Sequence, residues 1–320
     1  MAVKAPEAAK ITRRLRIPKQ RPTQTKVDTG ILGYNRAVPY LFSGPAVLLV
    51  GLILGFPVVY SIWQSFYNAK NLATPAEFVG LDNYTALAGD SDFWAALGRT
   101  GVFIGGCLVL GQVLAVLFAF VLYRLTKRLR IVRAFTILPY IVSSVAAAVM
   151  FRLFFNTEFG LPNKVLEFVG LPALQWLIEP ALAMIVVIVT QVWTDLPLSI
   201  LIILAGLQTI DQAHLDAALV DGASGWKRAW HIILPLISPQ LALSTVWLSY
   251  SCLTSLGTIL ALTGGGPGTA TQTLPLQMYS IAFKQLDMYQ ALAIANIILL
   301  LNALLTLVYL GISKRYGSTE

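Results

Sequence analysis

The residue best suited to chemistry is Asp195, a carboxylate in the middle of a long apolar run. An ionisable side chain inside a membrane helix costs a few kcal/mol, which makes such a residue a candidate for function. Gln191, Trp193, Thr194 and Pro197 surround it, and this polar cluster with a proline predicts a locally opened helix that faces a cavity. A structural carboxylate, hydrogen-bonded to a neighbouring helix, is an equal alternative.

A second set of polar side chains lies further along the chain. Tyr250, Ser251, Thr254 and Ser255 follow one another at helical spacing, and Asn296 lies in the last apolar run. Small hydroxyl side chains in membrane helices often serve packing alone. A cavity-lining role and a packing role both fit this pattern.

Nothing in the chain predicts catalysis. His214 and His231 lack metal-ligand spacing, and Cys107 and Cys252 lie in apolar runs, as packed thiols do. The sequence contains no HExxH, CxxC or GxSxG motif, and its glycine-rich segment 262–283 lacks the lysine of a Walker loop. We therefore expect no catalytic residue, no metal and no cofactor in this chain.

The composition predicts an all-α polytopic membrane protein. The chain of 320 residues is 57% hydrophobic and 12% charged, with a mean hydropathy of +0.72, whereas soluble domains carry roughly 25% charged residues. A membrane helix needs about 20 apolar residues. Six such spans are predicted, at about 37–60, 99–123, 133–155, 180–205 (interrupted at Asp195–Pro197), 235–262 and 288–312.

The basic residues predict the orientation in the membrane. With the N-terminus inside, 18 of the 23 Lys and Arg residues fall in inner segments, which places both termini and the loop 214–239 in the cytoplasm. The predicted organisation is a basic tail (1–36), a transmembrane domain (37–313) and a short C-terminus (314–320). We expect the tail to lie on anionic membrane lipid rather than on nucleic acid.

The loop 214–239 is the most patterned polar stretch of the second half. Asp221, Gly222 and Ala223 indicate that one helix stops and another begins, because Gly222 can adopt the left-handed conformation that closes a helix. Asp221 or Ser224 can accept hydrogen bonds from the free amides of the next helix. The pattern predicts a short helix-turn-helix.

The second of these helices has an aromatic face. Trp226 and Trp230 are four residues apart and therefore lie on one side of it. Pro235 and Pro239 then bend the chain into the next membrane span. Such an element at a membrane surface is suited to docking into a cleft of a partner protein.

This loop resembles the EAA motif of permeases of binding-protein-dependent ABC importers. The family pattern is E-A-A-x-x-D-G-A followed, after a variable segment, by I-x-L-P-x-x-x-P. The sequence departs from it at Asp216, where the family usually has Glu, and at Ala229, where an aromatic residue is common. The residues that lie in register with the pattern are Asp216, Ala217, Ala218, Asp221, Gly222, Ala223, Ile232, Leu234, Pro235 and Pro239.

Two outer loops resemble one carbohydrate subfamily of these permeases. Phe78 to Tyr84 reads F-x-G-L-x-N-Y, and segment 262–283 contains L-T-x-G-G-P, T-L-P and Y-x-x-A-F, as in maltose-type and glycerol-phosphate-type permeases. With the loop 214–239, the resemblance covers about residues 40–312. By position in that subfamily, the residues expected to line a substrate pathway are Asp195, Ser251, Cys252 and Ser255, with Asn296 a weaker candidate.

The resemblance implies a six-helix permease of the type I ABC importer fold, in a bacterial or archaeal plasma or inner membrane. Its implied partners are a second homologous permease, two ATPase subunits that bind ATP and Mg, and an external solute-binding protein. The ATPase would dock on Asp216, Ala217, Ala218, Asp221, Gly222, Ala223, Trp226 and Trp230.

The expected substrate is a sugar or oligosaccharide, because the carboxylate of Asp195 accepts hydrogen bonds from hydroxyls and repels phosphate. A permease for glycerol phosphate or another small polar solute is the alternative within the family. Outside the family, the rivals are an ion-coupled secondary transporter, which would require inverted repeats that the sequence does not display, and a receptor that only binds.

Overall fold

The structure, a computed structural model, describes residues 37–69, 75–125 and 130–317. The tail predicted over residues 1–36 lies outside the described residues, as do the last three positions of the C-terminus. The chain divides into two units after Phe56, and the first contains α1 (Ala37–Val50) and a π-helical turn (Gly51–Gly55).

The second unit is almost entirely helical. Its only described strands, β1 (Tyr67–Asn68) and β2 (Glu77–Phe78), pair antiparallel beyond the end of α2 (Phe56–Gln64). A second π-helical turn, Ala229–Ile233, joins α10 to α11. The other helices are α3 (Asp82–Gly89), α4 (Ser91–Leu125), α5 (Arg130–Ile141), α6 (Ser144–Phe154), α7 (Leu161–Phe168), α8 (Pro180–Thr209), α9 (Gln212–Val220), α10 (Gly225–Arg228), α11 (Leu234–Leu236), α12 (Ser238–Thr254), α13 (Gly257–Leu262), α14 (Leu274–Phe283) and α15 (Met288–Gly317).

Among the described residues, four helices are long and apolar enough to cross a membrane, namely Phe42–Gln64, Ser91–Arg124, Pro180–Thr209 and Met288–Gly311. Two bent pairs raise the number to six if each pair is one span. The prediction of an all-α membrane fold is therefore confirmed. The bent pairs are Phe135–Ile141 with Ser144–Phe154, at 105°, and Gly225–Leu236 with Ser238–Thr254, at 73°.

The prediction of an opened helix at Asp195–Pro197 was wrong. Helix α8 continues as an α-helix through Pro197 to Thr209. A proline removes one hydrogen bond from its helix, but proline is tolerated in membrane helices where neighbouring helices surround it. Pro197 is buried, and α8 packs against α4, α5 and α12.

The breaks occur in the third and fifth predicted spans instead. The third is interrupted at Val142 and Ser143, and the fifth at Ser255 and Leu256, between α12 and α13. Neither of these breaks was predicted from the sequence. After α13 the chain turns at Gly264–Gly268, where three glycines have positive φ.

Helix α8 is the centre of the bundle, and small residues let its neighbours approach closely. Ala115 and Ala119 of α4 pack with Ile203 of α8 in one apolar core. A Cβ atom built on Gly206 would lie 2.7 Å from Cγ of Gln240, which leaves no room for a side chain between α8 and α12.

We predict that Gly206→Leu destabilises the bundle by about 1–3 kcal/mol, because overpacking forces apart two helices in contact. The adjacent residue Ala205 is exposed, so Ala205→Leu is the control that introduces the same side chain away from this contact. Thermal unfolding of the purified variants in one detergent is the measurement. Equal transition temperatures for both variants would contradict the close approach of α8 and α12.

Candidate functional site

A polar cavity of about 250 Å³ lies beside Asp195 at the middle of α8. Its wall comes from α8, from the end of α12 and start of α13, and from the residues around the break between α5 and α6. We call it the Asp195 cavity. Its lining residues are Tyr140, Val142, Ser144, Gln191, Thr194, Asp195, Ser251, Thr254, Ser255, Leu256, Gly257 and Thr258.

Gln191 is at the centre of the hydrogen bonds around this cavity. Its Nε2 donates to Oδ2 of Asp195 at 2.8 Å and to Oγ of Ser251 at 3.3 Å. Its Oε1 accepts a hydrogen bond of 2.7 Å from the hydroxyl of Ser255. A single amide therefore joins two residues of the fifth span to the carboxylate of α8.

Both helix breaks meet at the Asp195 cavity. Ser255 has an extended conformation where α12 ends, and Gly257 begins α13. A Cβ atom on Gly257 would lie 2.9 Å from Oγ of Ser144, the first residue after the break in the third span. Irregular backbone at membrane depth is tolerated where it lines a cavity. The cavity therefore accounts for the presence of both breaks at this depth.

Aromatic side chains extend from one side of the cavity. Tyr140 lines it, and its ring centroid is 6.2 Å from that of Trp247. Trp247 in turn lies 6.5 Å from Tyr250. Sequence reasoning missed Tyr140, because its place at the cavity depends on the 105° bend that follows it.

Two of the predicted pathway residues lie away from the cavity. Cys252 is 1% exposed and packs in the apolar core that also contains Cys107. Asn296 accepts a hydrogen bond of 3.1 Å from the hydroxyl of Ser61 and donates one of 3.3 Å to Tyr84. The structure thus brings together Asp195, Ser251 and Ser255, and gives Cys252 and Asn296 other surroundings.

Residues 211–237, which we call the turn segment, form the predicted helix-turn-helix. Asp211 caps α9 by accepting a hydrogen bond of 3.0 Å from the amide of Ala213. Gly222 has φ +73°, and Ser224 caps α10 by accepting from the amide of Lys227 at 3.4 Å. The predicted left-handed glycine and one of the two predicted caps are therefore present.

The turn segment exposes its aromatic face. Trp226 is 73% exposed and Trp230 is 53% exposed, with ring centroids 5.6 Å apart. Asp216, Ala217, Asp221 and Gly222 are also exposed, whereas Ala223 is half-buried and Ala218 is buried. Two adjacent exposed tryptophans on a polar segment form a surface of the kind that partner proteins cover.

The Asp195 cavity and the turn segment are the two ends of one structural unit. Helix α8 runs without interruption from Asp195 to Thr209, a length of about 21 Å at 1.5 Å per residue. The turn segment follows Ile210 directly, and α12 leads back from it to Ser251 and Ser255. A displacement of the turn segment is therefore applied to two helices that line the cavity.

No metal site accompanies this arrangement within the described part of the chain, where no group of three or more His, Cys, Asp or Glu side chains is suited to hold an ion. What the cavity offers is hydrogen bonding. A carboxylate, an amide and several hydroxyls face one space beside an aromatic ring, which suits a ligand that is rich in hydroxyl groups.

Comparisons with known proteins show which family the chain belongs to. Residues 109–318 match the family described as binding-protein-dependent transport system inner membrane component. The chain is 32% identical to the sulfoquinovosyl glycerol transport system permease protein of Agrobacterium fabrum, over 92% of this chain and 96% of that protein. It is also 32% identical to the trehalose/maltose transport system permease protein of Thermococcus litoralis, over 88% of this chain and 94% of that protein.

A further relative and a solved structure complete the comparison. The sn-glycerol-3-phosphate transport system permease protein of Agrobacterium fabrum is 30% identical over 85% of this chain and 93% of that protein. The fold is similar to a chain of a bacterial alginate ABC transporter in complex with alginate pentasaccharide-bound periplasmic protein. The TM-score is 0.75 at 21% identity, over 89% of this chain and 96% of that chain. The family match and the relatives together place the chain in the family of binding-protein-dependent transport system inner membrane components, the permease subunits of ABC transporters.

Proposed function

We propose that this permease subunit imports a neutral sugar or a short oligosaccharide, and that the Asp195 cavity is part of its pathway. The observation that supports this most strongly is the cluster of Asp195, Gln191, Ser251 and Ser255 around one membrane-embedded space. One of the relatives described above is named for trehalose and maltose, which are neutral sugars.

The chemistry of the cavity matches that of a sugar. Sugar hydroxyls donate hydrogen bonds to the carboxylate of Asp195 and exchange them with Ser251 and Ser255. The ring of Tyr140 offers an apolar face to the C–H groups of a pyranose. A volume of about 250 Å³ is below the usual range for pockets that enclose a whole ligand, so a second permease subunit would supply the opposite wall.

Glycerol phosphate is the second candidate because one relative is named for it. A phosphate oxygen about 4 Å from the carboxylate of Asp195 would be repelled by roughly 4 kcal/mol at the dielectric typical of protein sites. No Lys or Arg is among the residues that line the cavity, so nothing there compensates this repulsion. The lining therefore favours a neutral sugar.

The remaining partners and the orientation belong to the same proposal. The excess of basic residues in predicted inner segments supports a cytoplasmic turn segment, where two ATPase subunits would bind it. A homologous permease would complete the bundle, and an external solute-binding protein would deliver the sugar. We expect the host to be bacterial or archaeal, with this chain in its inner or plasma membrane.

Transport follows from differential binding of the ATPase to two permease states. Closure of the ATPase on ATP displaces the turn segment, and α8 and α12 transmit that displacement to the Asp195 cavity. A partner shifts such an equilibrium only by the difference between its affinities for the two states. The exposed Trp226 and Trp230 provide a surface whose burial can differ between the states.

We predict that Asp195→Asn lowers the apparent affinity for the sugar about ten- to a hundredfold, because one charged hydrogen-bond acceptor is lost. Ser199→Ala is the matched control, since Ser199 is buried one turn along α8 and does not line the cavity. Uptake and assembly of the complex are measured separately. Normal uptake by a correctly assembled Asp195→Asn variant would remove Asp195 from the pathway.

We predict that Gly222→Pro abolishes transport while membrane insertion is retained. Proline cannot adopt φ +73° and lacks the amide that donates to the carbonyl of Leu219 at 3.0 Å. Gly222→Asn is the control, because asparagine tolerates the left-handed conformation and keeps the amide. Sugar uptake that still depends on ATP hydrolysis in Gly222→Pro would refute the docking role of the turn segment.

A further inference from the structure

A second cavity, of about 260 Å³, lies between the end of α4 and the turn segment. Tyr123 and Arg124 of α4 line one side, and Arg228 of α10 lines another. We call it the arginine cavity. It shares no residue with the Asp195 cavity, and its other lining is apolar, including Phe120, Leu215 and Ile233.

One guanidinium donor of this cavity is buried without a partner. Nε of Arg228 is buried and has no hydrogen-bond partner. Within the part of the chain that the structure describes, neither Arg124 nor Arg228 forms a salt bridge with a carboxylate. A guanidinium has five donors and no acceptor, and buried donors are normally paired. A buried guanidinium nitrogen without a partner, beside the exposed guanidinium of Arg124, favours a negatively charged ligand.

The chemistry and the position of the cavity favour phosphate. Guanidinium groups bind phosphate oxygens with two parallel hydrogen bonds, and the hydroxyl of Tyr123 is a further donor at the same cavity. The apolar span of α4 ends at Arg124, so the cavity lies at the level where lipid phosphates meet a membrane protein. Its volume suits a headgroup or a small soluble compound rather than an oligosaccharide.

We propose that the arginine cavity binds a phosphate-bearing ligand, either the phosphate of an anionic phospholipid or a small soluble phosphorylated compound. A ligand held by both Arg124 and Arg228 ties the turn segment to α4. The inference rests on the proposed function in one respect, which is the location of the turn segment on the cytoplasmic side of the membrane. Binding at this cavity does not depend on which solute is transported, so the two proposals can fail separately.

The first experiment tests the lipid source. The full chain with its copurifying subunits is placed in nanodiscs of phosphatidylcholine with phosphatidylglycerol, and bound phosphatidylglycerol is counted by native mass spectrometry. We expect Arg228→Gln and Arg124→Gln each to weaken retention about tenfold, and Arg228→Lys to have an intermediate effect. Lys227→Gln is the matched control, because it removes the same charge at the neighbouring position and Lys227 does not line the cavity.

The second experiment tests the soluble source in nanodiscs of phosphatidylcholine alone, with equilibrium binding of glycerol phosphate as the probe. Binding that Arg228→Gln weakens about tenfold and Lys227→Gln leaves unchanged supports the proposal with a soluble ligand. Retention of phosphatidylglycerol with the same pattern supports it with a lipid. If Arg228→Gln and Lys227→Gln behave alike with both probes, the proposal is overturned. Burial of Arg228 against a carboxylate of an ATPase subunit, with neither probe bound, overturns it as well.

Discussion

The fold depends on one constraint, which is that polar groups inside a membrane bundle must satisfy one another. Gln191 meets this constraint around Asp195 by bonding that residue in its own helix and Ser251 and Ser255 in the fifth span. The bonds to Asp195 and Ser255 are buried and measure 2.8 and 2.7 Å, so breaking them leaves unpaired groups where no bulk water replaces them. The constraint therefore fixes the position of the break after α12, and with it the shape of the Asp195 cavity.

A second consequence is mechanical. Because Pro197 is packed among neighbouring helices, α8 remains a continuous rod from the cavity to the turn segment. The glycine turn at Gly222 and the cap at Ser224 set the direction of α10 and of the π-helical turn that follows it, which present Trp226 and Trp230 outward. The cavity that is suited to a solute and the surface that is suited to a partner thus share the helices α8 and α12. These two helices therefore connect the cavity directly with the turn segment.

The features that were predictable from sequence are those determined by neighbouring residues. The left-handed Gly222, the paired tryptophans and the long apolar spans each depend on local spacing. The grouping of Asp195 with Ser251 and Ser255 was also anticipated, with the help of the family resemblance. Cys252 lies in the core rather than at the cavity, because one step along the helix from Ser251 turns a side chain by about 100°. Asn296, Tyr140 and the breaks at residues 142–143 and 255–256 depend on contacts between distant segments, which spacing alone does not reveal. The role of Gln191 also depends on contacts between distant segments, since its three partners lie in two different spans.

The most direct test of this account is sugar uptake, with sugar-stimulated ATP hydrolysis, by the assembled transporter carrying Gln191→Leu. The account predicts that both activities fall at least tenfold while assembly persists, because Asp195, Ser251 and Ser255 lose their common partner. Thr190→Val, at the adjacent buried position, should retain both activities, since the hydroxyl of Thr190 donates only to the carbonyl of Val186 within its own helix. Transport by Gln191→Leu at the level of Thr190→Val would contradict the central role of the Gln191 hydrogen bonds.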